Sequence, residues 1–250
     1  MDLIESLKEI SEYLNKDFDY VLNEYNNVKE KYPGFVKWSH LSAEEWNQKK
    51  IDQSNMQEVM EFYRKTPNYI FELMEYHSTE SKRKLSNTVI ELCKRENIKT
   101  ILDFGAGICQ DSIIGSKSGF DVTAADIPGK TFEFGQWRIR KHKAAVQILE
   151  IHDETPLKEK YDGITCFEVL QHVIDPEKTL NHLNQHLHSS GTLFITTRFK
   201  NNYSLALKNN ERYEEELEDL VKRCRFNIKL KKHMWGQNEK TKFLYVLNKQ

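Results

Sequence analysis

KTILDFGAGICQDSIIGSKSGFDVTAAD, residues Lys99 to Asp126, carries the reading that decides the fold. Ile101 and Leu102 form a short apolar run that ends at Asp103, and Gly105 and Gly107 follow at once. That order is a strand, a glycine turn, a helix and a second strand closing on Asp126, the opening of a nucleotide-type βαβ unit. The glycines remove side chains that would hold a ligand off the backbone. A carboxylate about twenty residues past the turn is placed to accept ribose hydroxyl hydrogen bonds. The spacing therefore predicts a nucleoside site without saying which nucleoside.

Outward from this unit the alternation continues. Ala144 to Ile151, Tyr161 to Phe167 and Gly191 to Thr197 read as further strands, and Pro176 to His188 and Glu211 to Cys224 as helices. Phe226 to Trp235 and Lys242 to Leu247 then read as a hairpin turning at Gly236 to Asn238. The expected fold is α/β: a Rossmann-like, seven-stranded, mostly parallel, doubly wound sheet with an antiparallel C-terminal hairpin and an N-terminal helical cap. The segment after Asp126, IPGKTFEFGQWRIRKHK, reads as an aromatic and basic loop, with Ile127 against a purine and Trp137 near a pocket.

Towards the N-terminus, apolar residues recur at helical spacing from Leu3 to Val28, and Pro33 and Gly34 break the pattern. Ser42, three residues before Glu45, has capping-box spacing and predicts a helix starting near Ala43. Met56 to Tyr76 reads as two helices divided at Pro67, and Ser81 to Asn97 as another. We expect residues 1–97 to form a helical cap or lid and 98–250 the cofactor-binding domain. At least one of Tyr63, Tyr69 and Tyr76 is expected to face the crevice, where an aromatic lid excludes water.

In this chain of 250 residues, 37 Lys and Arg nearly cancel 38 Asp and Glu, so the broad basic field of a nonspecific nucleic-acid binder is missing. The four cysteines form no CxxC pair, which argues against a zinc ribbon or a disulfide framework. The acidic, amphipathic start and the lack of a long apolar run point to a cytoplasmic protein without membrane attachment. His182 and His186 stand four apart on a helix, but with no evident third ligand they predict a solvated face and no metal. The expected partners are a small-molecule substrate, no nucleic acid, no membrane, and a second copy through the N-terminal helices.

A dinucleotide fingerprint would place glycine where Gln110 stands. Asp111 beside it puts a negative charge where a phosphate would sit, which disfavours NAD, FAD and nucleotide phosphates. With DFGAG at Asp103–Gly107 and YDGITCFEVLQHVIDP at Tyr161–Pro176, the chain resembles the class I S-adenosylmethionine-dependent methyltransferases from about residue 99 onward. Cys109 stands where the first motif usually has its third glycine, and Gln171 where the second usually has Glu.

The resemblance implies S-adenosylmethionine as cofactor. It places Asp103 on the methionine amino group and the Phe104–Gly105–Ala106–Gly107 backbone along the ligand. Asp126 falls on the ribose, Ile127, Asp153 and Glu154 around the adenine, and Phe167 and Glu168 at the methionine end. A sulfonium methyl is already activated, so the protein must mainly align a nucleophile, exclude water and, where needed, supply a base. The candidates for that work are His172 as base, Tyr76 from the lid and Arg198 for an anionic acceptor group. The expected activity is O-, N- or C-methylation of a small molecule. The alternatives are cyclisation of the cofactor on itself with release of methylthioadenosine, methylation of RNA or protein, and a noncatalytic binding module.

Overall fold

The computed structural model describes residues 2–31, 38–152, 159–200, 205–235 and 242–250. The strands are β1 (Thr100–Phe104), β2 (Asp121–Asp126), β3 (Val146–Glu150), β4 (Tyr161–Phe167), β5 (Leu187–Thr196), β6 (Phe226–Trp235) and β7 (Lys242–Lys249). They form one sheet in the order β3-β2-β1-β4-β5-β7-β6, parallel from β3 to β5, with β7 antiparallel to both β5 and β6. The chain leaves β1 towards β2 and β3 and returns on the other side through β4. The crevice for a ligand therefore opens at the C-terminal ends of β1 and β4. The turn expected at Gly236 to Asn238 lies outside the described residues.

Side-chain alternation along the central strands requires a layer of helices on each face. Ile101 and Val122 point to one face, where α6 (Glu80–Arg95) packs Leu85, Val89, Leu92 and Cys93. On that face α7 (Gln110–Lys117) and α8 (Lys130–Lys141) also enclose Ala124 with Ile113, Phe132 and Ile139. Leu102 and Ala125 point the other way, against Leu180 and Leu183 of α9 (Pro176–Gln185) and Leu217, Leu220 and Val221 of α10 (Tyr213–Arg223).

The first five helices are α1 (Leu3–Leu14), α2 (Phe18–Lys31), α3 (Trp38–Lys49), α4 (Met56–Lys65) and α5 (Asn68–His77). Leu7, Ile10, Val21, Tyr25, Trp38, Ile70 and Met74 build their core, which Ile108 and Phe134 join from the α/β part. A second cluster sets Trp46, Val59 and Phe62 against Leu205 and Leu207. Among the described residues no helix is long and apolar enough to cross a membrane.

Two local expectations fail, each for a physical reason. Ser42 does not start a helix: α3 already begins at Trp38, and the buried Ser42 Oγ bonds the Trp38 carbonyl at 3.3 Å. Glu45 instead ties the α4–α5 junction, its Oε2 accepting from Thr66 Oγ1 at 2.5 Å and Asn68 Nδ2 at 3.1 Å. The capping box lies at Asp2 and Glu5, at the head of α1. The segment after Asp126 is a helix, α8, and not a loop. Its apolar residues face two ways, Phe132 and Ile139 towards the sheet and Phe134 towards the N-terminal helices, so no single stripe stands out, and Arg138 between them is itself buried. Trp137 stacks on Phe134 and meets Tyr13 of α1, so it belongs to the helical core.

Candidate active site

The turn after β1 is shaped by its backbone. Gly105 and Gly107 have φ of 75° and 52°, and a Cβ on Gly105 would lie 2.2 Å from Val169 Cγ2. A Cβ on Gly107 would lie 2.9 Å from Leu73 Cδ1, so α5 rests on this turn. Cys109 adopts φ 56° in the place usual for a third glycine, and α7 starts directly after it. The turn thus keeps its shape without that glycine. Ala106 is buried in the cluster on one side of the sheet, and the partly buried Phe104 packs against the cluster on the other.

We expect Gly105→Ala to cost about 2–5 kcal/mol, combining a left-handed penalty of about 1–2 with overpacking of about 1–3. Urea unfolding measures it. Adding Val169→Ala should recover the steric part alone, and full recovery would show that backbone strain contributes nothing.

Three carboxylates surround the turn, each in a different state. Asp126, at the end of β2, accepts from Gly107 N at 2.6 Å and Ile127 N at 2.7 Å. Burial nevertheless pushes its pKa up to about 6. Asp103 is buried and accepts from Thr165 Oγ1 at 2.9 Å and Ser112 Oγ at 2.5 Å; burial and the neighbouring Asp111 raise it to about 6.

Asp111 corrects an expectation. Its charge does not stand bare at the phosphate position but is paired with Lys82 Nζ at 2.6 Å and hydrogen-bonded by Ser86 Oγ at 2.6 Å. Against the cost of burial, Lys82 holds it below the ordinary aspartate value. Repulsion of phosphate by a free Asp111 is therefore not what shapes this site.

At the end of β4, Glu168 takes φ 58° and pairs its Oε2 with Lys242 Nζ at 2.6 Å. Lys242 reaches in from the start of β7, and it also lies 5.6 Å from the centroid of the Tyr76 ring. Gln171 suits its neighbours as a neutral amide, donating to Glu168 Oε2 at 3.3 Å and accepting from Thr197 Oγ1 at 2.6 Å. Phe167 lies beneath Lys82 Nζ, 4.6 Å from the ring centroid.

His172 Nδ1 is 3.1 Å from the Leu205 carbonyl and 2.9 Å from Tyr63 Oη, which itself donates to that carbonyl at 3.2 Å. A carbonyl only accepts, so Nδ1 carries the proton and Nε2 the lone pair. Burial, with Lys242 adding to it, holds the ring below the ordinary histidine value against the opposing pull of Leu205 and Glu168. The imidazole is therefore neutral at pH 7.

From α5, Tyr69, Leu73 and Tyr76 fall on one helical stripe. Burial raises both tyrosine hydroxyls far above their usual range, Tyr69 feeling Asp126 and Glu168, and Tyr76 feeling Glu168 and Asp111. Both stay protonated as donors. Among the described residues, Tyr76 Oη, Glu168 Oε1 and Arg198 Nε are buried without a hydrogen-bond partner. Orphaned polar atoms around a glycine turn with an adjacent carboxylate fit a polar nucleoside carrying an amino-acid tail. Asp153 and Glu154 lie outside the described residues.

The structure thus brings together Asp103, the 104–107 backbone, Asp126, Ile127, Phe167, Glu168, His172 and Tyr76 at one sheet edge, with Arg198 following β5. The reading of the sequence missed Lys242, Tyr63 as partner of His172, and Lys82. Each arrives from a distant part of the chain, and only the ion-pair chemistry of Glu168 and Asp111 hinted that cations were needed.

Fold and site together define an open α/β enzyme with a nucleoside crevice at the ends of β1, β2 and β4. A family profile described as a methyltransferase domain matches residues 76–240, and the chain belongs to that family. Its cofactor is S-adenosylmethionine. Relatives include the ubiquinone biosynthesis O-methyltransferases of Nitrosomonas europaea, 28% identical over 120 residues, and of Hydrogenovibrio crunogenus, 31% identical over 117 residues. These matches cover 46% and 44% of this chain, and 50% and 47% of those enzymes. The chain spans about half the length of these curated relatives.

Among solved structures, magnesium protoporphyrin IX methyltransferase from Synechocystis PCC 6803 with bound S-adenosylmethionine superposes at TM-score 0.59 and 15% identity, over 80% of this chain and 98% of that one. An S-adenosylmethionine-dependent methyltransferase from Clostridium acetobutylicum reaches 0.57 at 14% identity, over 72% and 96%. At such identity the likeness is one of fold.

Proposed function

We propose that this S-adenosylmethionine-dependent methyltransferase methylates a hydroxyl of a small-molecule acceptor, with His172 as the general base. The observation that carries the reading is the Leu205 carbonyl on His172 Nδ1, which fixes the tautomer with Nε2 as proton acceptor. The bound cofactor supplies an activated sulfonium methyl. Asp126 accepts from the ribose, Asp103 and Glu168 serve the amino-acid end, and the 104–107 backbone lies along the ligand. Tyr69 and Tyr76 close the crevice from above, and Arg198 is free to pair with an anionic group of the acceptor. Residues 1–97 act as the cap over the methyltransferase domain at 98–250, with α6 as the part seated on the sheet. The O-methyltransferase relatives support an oxygen nucleophile. Ile4, Leu14 and Tyr20, exposed on α1 and α2, support self-association there.

The test is product identity by mass spectrometry, with the enzyme and S-adenosylmethionine incubated alone and with panels of phenols, alcohols, amines and total RNA. Adenosylhomocysteine and an O-methyl product should appear only with hydroxyl acceptors. Methylthioadenosine in the acceptor-free sample would overturn the proposal in favour of intramolecular cyclisation, and methylated RNA would do so in favour of a macromolecular substrate.

A further inference from the structure

Arg138 of α8 is 1% exposed, and each arm of its guanidinium has a defined partner. Nε donates to Glu9 Oε2 of α1 at 2.7 Å, Nη1 to the Ile108 carbonyl at 2.7 Å, and Nη2 to Gln110 Oε1. Glu9 Oε1 meets His142 Nε2 at 2.6 Å. Ile108 and Gln110 bracket the end of the glycine turn. One planar cation therefore joins the first helix of the chain to the loop that follows β1.

Apolar packing repeats the connection. The Ile108 side chain, 0% exposed, lies in the same cluster as Leu7 and Ile10 of α1 and Met74 of α5. Close approach of α8 is possible because residue 135 is glycine: a Cβ there would lie 2.6 Å from Cys109 Sγ and 2.7 Å from the Gly107 carbonyl. The turn is thus gripped by its backbone carbonyl, by its side chain and by direct helix contact.

We propose that Arg138 and Glu9 are positioning residues for the cofactor loop, so that docking of α1 and binding of the cofactor stabilise one another through the Arg138 fork. A guanidinium can hold three acceptors in one plane, and a lysine ammonium cannot reproduce that geometry. Without the fork the buried Ile108 carbonyl loses its partner, and the turn is no longer fixed at the height the ligand requires. Coupling between sites is reciprocal, so whatever α1 contributes to ligand affinity the ligand returns to α1.

The inference rests on the cofactor loop alone and is independent of the acceptor. S-Adenosylhomocysteine titrated by calorimetry into the wild type, E9Q, R138K and E12Q tests it, alongside hydrogen exchange of α1 with and without the ligand. Glu12 pairs with Lys141 at the exposed edge of the same helix junction and serves as the control. E9Q and R138K should each weaken binding roughly ten-fold, while E12Q stays within about two-fold. The ligand should slow α1 exchange in the wild type and not in E9Q. Affinities within about two-fold of wild type for E9Q, or wild-type α1 exchange indifferent to ligand, would overturn the proposal. If R138K fails to fold, E9Q against E12Q decides it alone.

Discussion

His172→Ala lowers kcat by roughly 10²–10⁴-fold on an acceptor whose hydroxyl must lose its proton, the usual weight of a positioned general base. Two features keep this expectation separate from a packing effect. His172 is neutral because burial depresses it, so activity falls only as pH drops through a value below the ordinary histidine pKa of about 6.5. That acid limb is absent from the Ala variant. Second, the need for a base shrinks as the acceptor becomes more acidic. Across a series of substituted phenols the deficit of His172→Ala should narrow as the phenol pKa falls. A deficit of equal size throughout would assign His172 to positioning instead. Tyr63→Phe should cost less than about ten-fold, since the Leu205 carbonyl still fixes the tautomer.

The parts of this site that could be read in advance are those whose chemistry is local in sequence. Strand β4 falls on Tyr161–Phe167 as expected, because its apolar run is bounded by charge and followed by a cap at Asp175. The β1 turn was legible because a strand end and two close glycines leave few alternatives. Helix α8 was not legible as a helix: Arg138 is charged by type but core by position, and its burial is made tolerable by the Glu9 carboxylate from the far end of the chain together with the Ile108 carbonyl and Gln110. Lys242 is another such case, since β7 reaches the crevice only by entering the sheet antiparallel beside β5. Ser42 shows the converse error, in which a local spacing matched a cap while packing of Trp38 had already started the helix. Patterns within one element survive in the fold. Pairs assembled across elements become visible only when topology brings them together.

Lys82→Met tests the most consequential of those pairs. The Lys82 side chain is 2% exposed, its Nζ lies 2.6 Å from Asp111 Oδ2, and the same cation partly offsets the burial that raises the nearby Asp103. Methionine preserves most of the volume and removes the charge, leaving a buried carboxylate without its counter-ion. Removing one partner of a buried pair costs about 3–5 kcal/mol, which is what we expect for urea unfolding at pH 7. The pH dependence fixes the sign. In the wild type Asp111 is depressed, so its contribution is present above the unfolded aspartate value and is lost as pH falls through the lower folded value. In the variant, burial and Asp103 raise Asp111 instead. Its folded state then binds protons that its unfolded state does not, and stability recovers as pH falls towards about 4. The gap between wild type and variant must therefore narrow on acidification. Adding Asp111→Asn to Lys82→Met should restore most of the loss at pH 7, because a neutral pair carries no uncompensated charge. A gap that widens in acid, or a double variant no more stable than the single one, would mean that Lys82 holds α6 against α7 by packing and not by charge.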